Sequence, residues 1–125
     1  MVNPNSLVAI VDDDLRLLES LEELLESAGY AVHTFSSAQA LFDSNASPEI
    51  DCLIADIGMP GIDGFELQRL MRDTRPELPV ILITGRHEFA ELPQAKHNRF
   101  FRKPFDSQAL LAAIADALTG QAGAR

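Results

Sequence analysis

Leu7-Val8-Ala9-Ile10-Val11-Asp12-Asp13-Asp14 joins two stretches of opposite character. Five apolar residues, three of them β-branched, run straight into three carboxylates. A short apolar run of this kind suits a strand buried on both faces, as in a parallel sheet. An acid cluster directly after such a strand falls at its carboxyl end, where open α/β sheets keep their functional crevices.

The pattern repeats outward from this point. Leu15, Leu18, Leu21, Leu24, Leu25 and Ala28 recur at helical spacing, and Gly29 is a stop signal. Residues 30–35 read as a second strand, and Ser36 or Ser37 caps a helix running to about Asn45 before Ser47-Pro48 breaks it. Cys52-Leu53-Ile54-Ala55 is a third strand ending at Asp56. The loop 57–64 follows, then a helix from about Phe65 to Thr74. Val80–Ile83 is a fourth strand ending at Thr84, and residues 99–102 are a fifth around Phe100-Phe101. A last helix is capped by Asp106 or Ser107 and runs to about Leu118, leaving 120–125 as a flexible tail. Alternating strands and helices predict an α/β fold, a doubly wound parallel sheet with helices on both faces. One domain with a core of about residues 6–119 is expected from 125 residues.

Composition narrows the function. Hydrophobic residues at 46% and charged residues at 23% are ordinary for a globular chain. No apolar run approaches the ~18 residues of a membrane helix, and the lone Cys52 makes no internal disulfide, so the expectation is a cytoplasmic protein without membrane contact. Net charge is 10 − 19 = −9. Residues 1–68 carry 13 acids and one base, whereas 69–125 carry nine bases and six acids. A surface that neutralises nucleic-acid phosphates would be basic, so direct nucleic-acid contact is not expected.

The strand ends gather Asp12 and Asp13, Asp56, Thr84 and Lys103. Singly each has a structural use: Asp14 is the expected helix cap, and Asp56 suits a turn. Together they form a site. Carboxylates ~4 Å apart repel by about 4 kcal/mol per pair at an effective dielectric near 20, which calls for a cation. Mg²⁺ suits carboxylate oxygens. A hydroxyl and an ammonium beside such a centre suit a phosphoryl group, and a carboxylate can take it as an aspartyl-phosphate.

The motifs Ile10-Val11-Asp12-Asp13-Asp14, Ala55-Asp56-Ile57-Gly58-Met59-Pro60-Gly61-Ile62-Asp63-Gly64, Ile83-Thr84-Gly85 and Phe101-Arg102-Lys103-Pro104-Phe105 resemble the receiver domain of bacterial two-component response regulators. Leu78–Gly85 and Phe65–Gln68 are most similar to receivers joined to LuxR-type DNA-binding domains. The resemblance implies a five-stranded, flavodoxin-like sheet in the order 2-1-3-4-5. It implies Asp56 as phosphoacceptor, with Asp12, Asp13, Asp56 and the Gly58 carbonyl around Mg²⁺. Thr84 and Lys103 then act on the phosphoryl group, Thr84 and Phe100 are the switch pair, Gly85 leaves the phosphate room, and the bond before Pro104 is cis. The implied phosphoryl donor is a sensor histidine kinase or phosphotransfer protein, and a homodimer through the 85–105 face is a further expectation.

The chain departs from the family at residues 85–98. Pro93 stands where a helix interior belongs, so the fourth helix of the fold is expected to be short or irregular. This segment is expected to be the most mobile part besides the tail and to order on phosphorylation, with Arg86 affecting phosphate lifetime. Two other functions compete. A haloacid-dehalogenase-type phosphatase uses similar groups but wants a second Asp at the position of Gly58. A receiver-like interaction module would never use phosphate. Seven residues remain after Leu118, too few for a DNA-binding domain, so the expectation is a stand-alone receiver or the first domain of a longer protein.

Overall fold

The computed structural model of the protein describes residues 6–45, 49–85 and 99–122. The chain runs β1 (Leu7–Val11), α1 (Leu15–Ser27), β2 (Ala31–Phe35), α2 (Ala38–Asp43), β3 (Cys52–Asp56), α3 (Gly64–Thr74), β4 (Val80–Thr84), β5 (Arg99–Arg102) and the C-terminal helix α4 (Ser107–Ala122). The five strands form one sheet in the order β2-β1-β3-β4-β5, with every pairing parallel. This is the expected doubly wound α/β architecture. The expectations for residues 86–98, including Pro93 breaking a helix and Arg86 beside the site, lie outside the described residues.

Strand alternation sorts the core into two layers. Ala9, Val11, Leu53, Ala55, Val80 and Leu82 point to the side covered by α2 and α3, through Leu41, Leu67 and Met71. Val8, Ile10, Cys52, Ile54, Ile81 and Ile83 point to the side covered by α1 and α4, through Leu18, Leu21, Leu25, Leu110 and Ile114. β3 and β4 are buried at every position, which is why they read as unbroken apolar runs. β2 and β5 are the sheet edges and are only partly covered. Cys52 is a core residue whose thiol is pushed up to about 12, first by burial.

Caps fix where the helices begin. Asp14 accepts from the backbone N–H of Arg16 and Leu17, as expected of it. Ser37 caps α2, and Asp106 accepts from Ala109 N at 3.0 Å at the start of α4. Gly29 follows α1 at φ 98, a left-handed conformation that glycine adopts without a Cβ penalty. Asn45, a non-glycine residue, also turns left-handed after α2, at φ 59.

Three boundaries and the burial of one residue differ from the sequence reading. α2 ends at Asp43 rather than near Asn45, because Asn45 is already left-handed. Leu15 is 68% exposed although it keeps the apolar spacing of α1, whose buried residues are Leu18, Leu21 and Leu25. Gly64 belongs to α3, not to the loop, because Asp63 is the cap and accepts from Glu66 N at 2.9 Å. α4 continues to Ala122, four residues past Leu118, as Gly120 does not turn left-handed there.

Candidate functional site

The site lies at the carboxyl ends of β1, β3, β4 and β5. β1 delivers Asp12, which is fully buried. Its backbone N–H donates to the Phe35 carbonyl at 3.1 Å, holding the chain against β2. Its Oδ1 accepts from Asp14 N at 2.9 Å, and its Oδ2 accepts from Lys103 Nζ at 2.9 Å. Asp13, the next residue, is exposed at the mouth.

β3 delivers Asp56, buried at 6% exposure. The backbone beyond it is pinned to β4, where Ile57 N donates to the Ile83 carbonyl at 2.8 Å. Asp56 Oδ1 accepts from Gly58 N at 3.3 Å and lies 3.9 Å from Lys103 Nζ. One carboxylate oxygen from each of Asp12, Asp13 and Asp56 falls within 4.8 Å of the others.

Lys103 is aimed by its own backbone. Its N–H donates to the Thr84 carbonyl at 2.7 Å, and the Lys103–Pro104 bond is cis, as the sequence motif implied. This tie brings the end of β5 against the end of β4. Thr84 itself is fully buried. Among the described residues, a Cβ at Gly85 would meet only Lys103 Cδ, at an ordinary 3.8 Å.

Electrostatics single out Asp56. Burial raises its carboxyl above the ordinary carboxylate range, and Asp12 adds to the rise. Lys103 and the Gly58 N–H pull the other way, and Asp13 adds a smaller upward push. Among the described residues, the three carboxylates of the cluster face the ammonium of Lys103, a sum of −3 + 1 = −2 for these four groups when ionised. At 4.8 Å and an effective dielectric near 20 each carboxylate pair repels by about 3 kcal/mol. An all-oxygen donor set with surplus negative charge fits a hard divalent cation.

The structure therefore brings Asp12, Asp13, Asp56 and Lys103 into one cluster, with Thr84 adjoining through the backbone of Lys103. Gly58 contributes its N–H to Asp56 and is otherwise exposed. Phe100 stands apart: it pairs in register with Leu82 and packs against the α2–α3 side of the core. Phe101 packs on the opposite side, edge-to-face with Phe105. The sequence reading gave no role to Gly64, where an added Cβ would meet the Asp56 carbonyl oxygen at 2.7 Å. A signal for it was present, since glycine at a first helical position after an Asp cap is a poor choice on propensity alone.

Residues 8–115 match the family described as response regulator receiver domain. The transcriptional regulatory protein FixJ of Bradyrhizobium diazoefficiens is 33% identical, over 89% of this chain and 56% of its own length. The chain spans about half the length of the curated relatives it matches. A receiver domain protein from Clostridium thermocellum superposes with a TM-score of 0.81 at 29% identity, covering 94% of this chain and 97% of that one. The response regulator TrrA of Thermotoga maritima, solved in complex with Mg²⁺ and BeF, gives 0.80 at 25% identity over 90% of this chain and 99% of that one.

Proposed function

The chain belongs to the response regulator receiver domain family, and on that premise we propose that Asp56 takes up a phosphoryl group and so switches an output surface. The observation that carries this reading is the cluster itself: three carboxylates within 4.8 Å, with Lys103 Nζ 2.9 Å from Asp12 and 3.9 Å from Asp56. An Asp56 oxygen attacks phosphorus as the bond to the donor breaks in line. Lys103 lies within reach of both Asp12 and Asp56, so its ammonium faces the charge carried by the transferring oxygens. Gly58 N–H and Lys103 orient the Asp56 carboxylate. Thr84 supplies a hydroxyl from the end of β4, and Phe100 on β5 follows it as the second half of the switch.

Asp12, Asp13, Asp56 and the Gly58 carbonyl would hold Mg²⁺, which when bound neutralises the crowded carboxylates and the phosphoryl oxygens. The donor in this reading is a sensor histidine kinase or a phosphotransfer protein, and the setting is the cytoplasm. No helix among the described residues is long and apolar enough to cross a membrane. The output is transcriptional, as FixJ is by name. A homodimer through the 85–105 face belongs to the same reading, as does a single receiver domain spanning residues 1–125.

Incubation with acetyl phosphate and Mg²⁺, followed by peptide mass spectrometry, tests the assignment. One phosphoryl group is expected, on Asp56, and none in EDTA or in Asp56→Asn. Equal modification of Asp56→Asn and wild type would remove Asp56 from the role.

A further inference from the structure

Gly64 opens α3 directly behind the candidate phosphoacceptor. It is buried, and a Cβ built on it would lie 2.7 Å from the Asp56 carbonyl oxygen, 2.9 Å from the Asp56 carbonyl carbon and 2.9 Å from Ile57 Cα. All three are main-chain atoms, so no side-chain rotation relieves the overlap.

Neither side of this contact gives way easily. The β3 side is tied to β4 by Ile57 N to the Ile83 carbonyl at 2.8 Å. The α3 side is seated by Leu67 at 0% and Met71 at 1% exposure, and by the Asp63 cap. Retreat of α3 would open the core on that side of the sheet. Advance of the Asp56 backbone would carry its carboxylate relative to Lys103 and Asp12, which are held by β5 and β1.

We propose that Gly64 is a positioning residue for Asp56: its bare Cα lets α3 abut the main chain at residue 56 and sets where the carboxylate stands against Lys103. The proposal rests on Asp56 being the phosphoacceptor. It predicts an effect opposite to local propensity, because alanine is the better helix former and should otherwise favour α3.

Gly61→Ala, in the loop that leads into α3, is the control. Gly61 has φ +76 and nothing within 4 Å of its Cβ position, so alanine there is strained but touches no part of Asp56. Phosphorylation by acetyl phosphate is followed at saturating Mg²⁺ for wild type, Gly64→Ala, Gly61→Ala and Asp56→Asn, beside thermal melting of each. Gly64→Ala should slow phosphorylation about tenfold or more, and Gly61→Ala should stay within about twofold of wild type, even where its melting point is the lower. A Gly64→Ala domain that is phosphorylated at the wild-type rate overturns the proposal while leaving Asp56 as acceptor. If that variant melts too low, the rates are compared in trimethylamine N-oxide, which favours the compact state. Failure to fold even there makes Gly64 a residue of the fold alone and likewise overturns it. A wild-type chain that takes no phosphoryl group on Asp56 overturns both readings.

Discussion

Asp12 and Asp56 are both buried carboxylates, yet their surroundings differ. Asp12 has Lys103 Nζ at 2.9 Å and a backbone N–H on its other oxygen. Asp56 has Lys103 only at 3.9 Å and a longer bond from Gly58, so burial and Asp12 prevail and raise its carboxyl. A carboxyl raised in the folded state binds its proton more tightly there than in the unfolded chain. Its stabilising contribution is full below the unfolded value, near ~4, and is lost as pH rises through the folded value. At neutral pH without divalent cation, the ionised Asp56 therefore opposes folding. Asp56→Asn should be more stable than wild type at pH 7 in EDTA by about 1 kcal/mol, a rise of roughly 3–5 °C. The gap should shrink as the pH falls toward ~4. Thermal melts by circular dichroism at several pH values check this, and a less stable Asp56→Asn at neutral pH would contradict it.

Asp12, Asp13 and Asp14 are adjacent in sequence, but the strand-to-helix transition gives them different work. Asp12 ends a strand and points into the sheet's end, Asp13 faces out, and Asp14 caps α1 through Arg16 N and Leu17 N. Asp14→Ala should cost about 1 kcal/mol of stability while Mg²⁺ affinity stays within about twofold, since the bond from Asp14 to Asp12 uses the backbone N–H. Urea unfolding in EDTA and calorimetric titration separate the two effects, and a large loss of Mg²⁺ affinity with unchanged stability would make Asp14 a ligand instead of a cap. This division of labour was legible because strand burial and capping leave local signatures. β1, β3 and β4 read directly as apolar runs, and Gly29 marked the end of α1. Gly64 was marked in the sequence only by its poor helix propensity; the reason for it was not legible, because that reason is a contact with residue 56 across a loop. The end of α4 was misjudged because Gly120 signals a stop only where the chain turns left-handed. The exposure of Leu15 depends on what the rest of the fold lays over the first turn of α1, which periodicity alone does not report. The cluster of Asp12, Asp13, Asp56 and Lys103 was legible since a parallel sheet brings all its carboxyl ends to one edge. Which carboxylate accepts the phosphoryl group came from family resemblance, because spacing does not rank them.

At the scale of the whole molecule, a chain of net charge −9 is stabilised by any salt that screens its self-repulsion. A rise in melting temperature with MgCl₂ is therefore not by itself evidence of a site. Screening and site binding differ in form. Screening depends on ionic strength and does not saturate at low concentration, whereas a site that binds only the folded chain contributes about 2.7 kcal/mol at a hundredfold excess over Kd, worth roughly 10 °C here. MgCl₂ should thus raise the melting temperature along a saturating curve, and KCl of equal ionic strength should give only a small part of it. Asp13 provides the control, because it is exposed and its loss disturbs no buried pair, whereas Asp12 is bonded to Lys103. In Asp13→Asn the saturating component should largely vanish while the response to KCl remains. If KCl reproduced the full Mg²⁺ effect, or Asp13→Asn left it untouched, the stabilisation would belong to the acidic surface as a whole and not to the carboxylates at the strand ends.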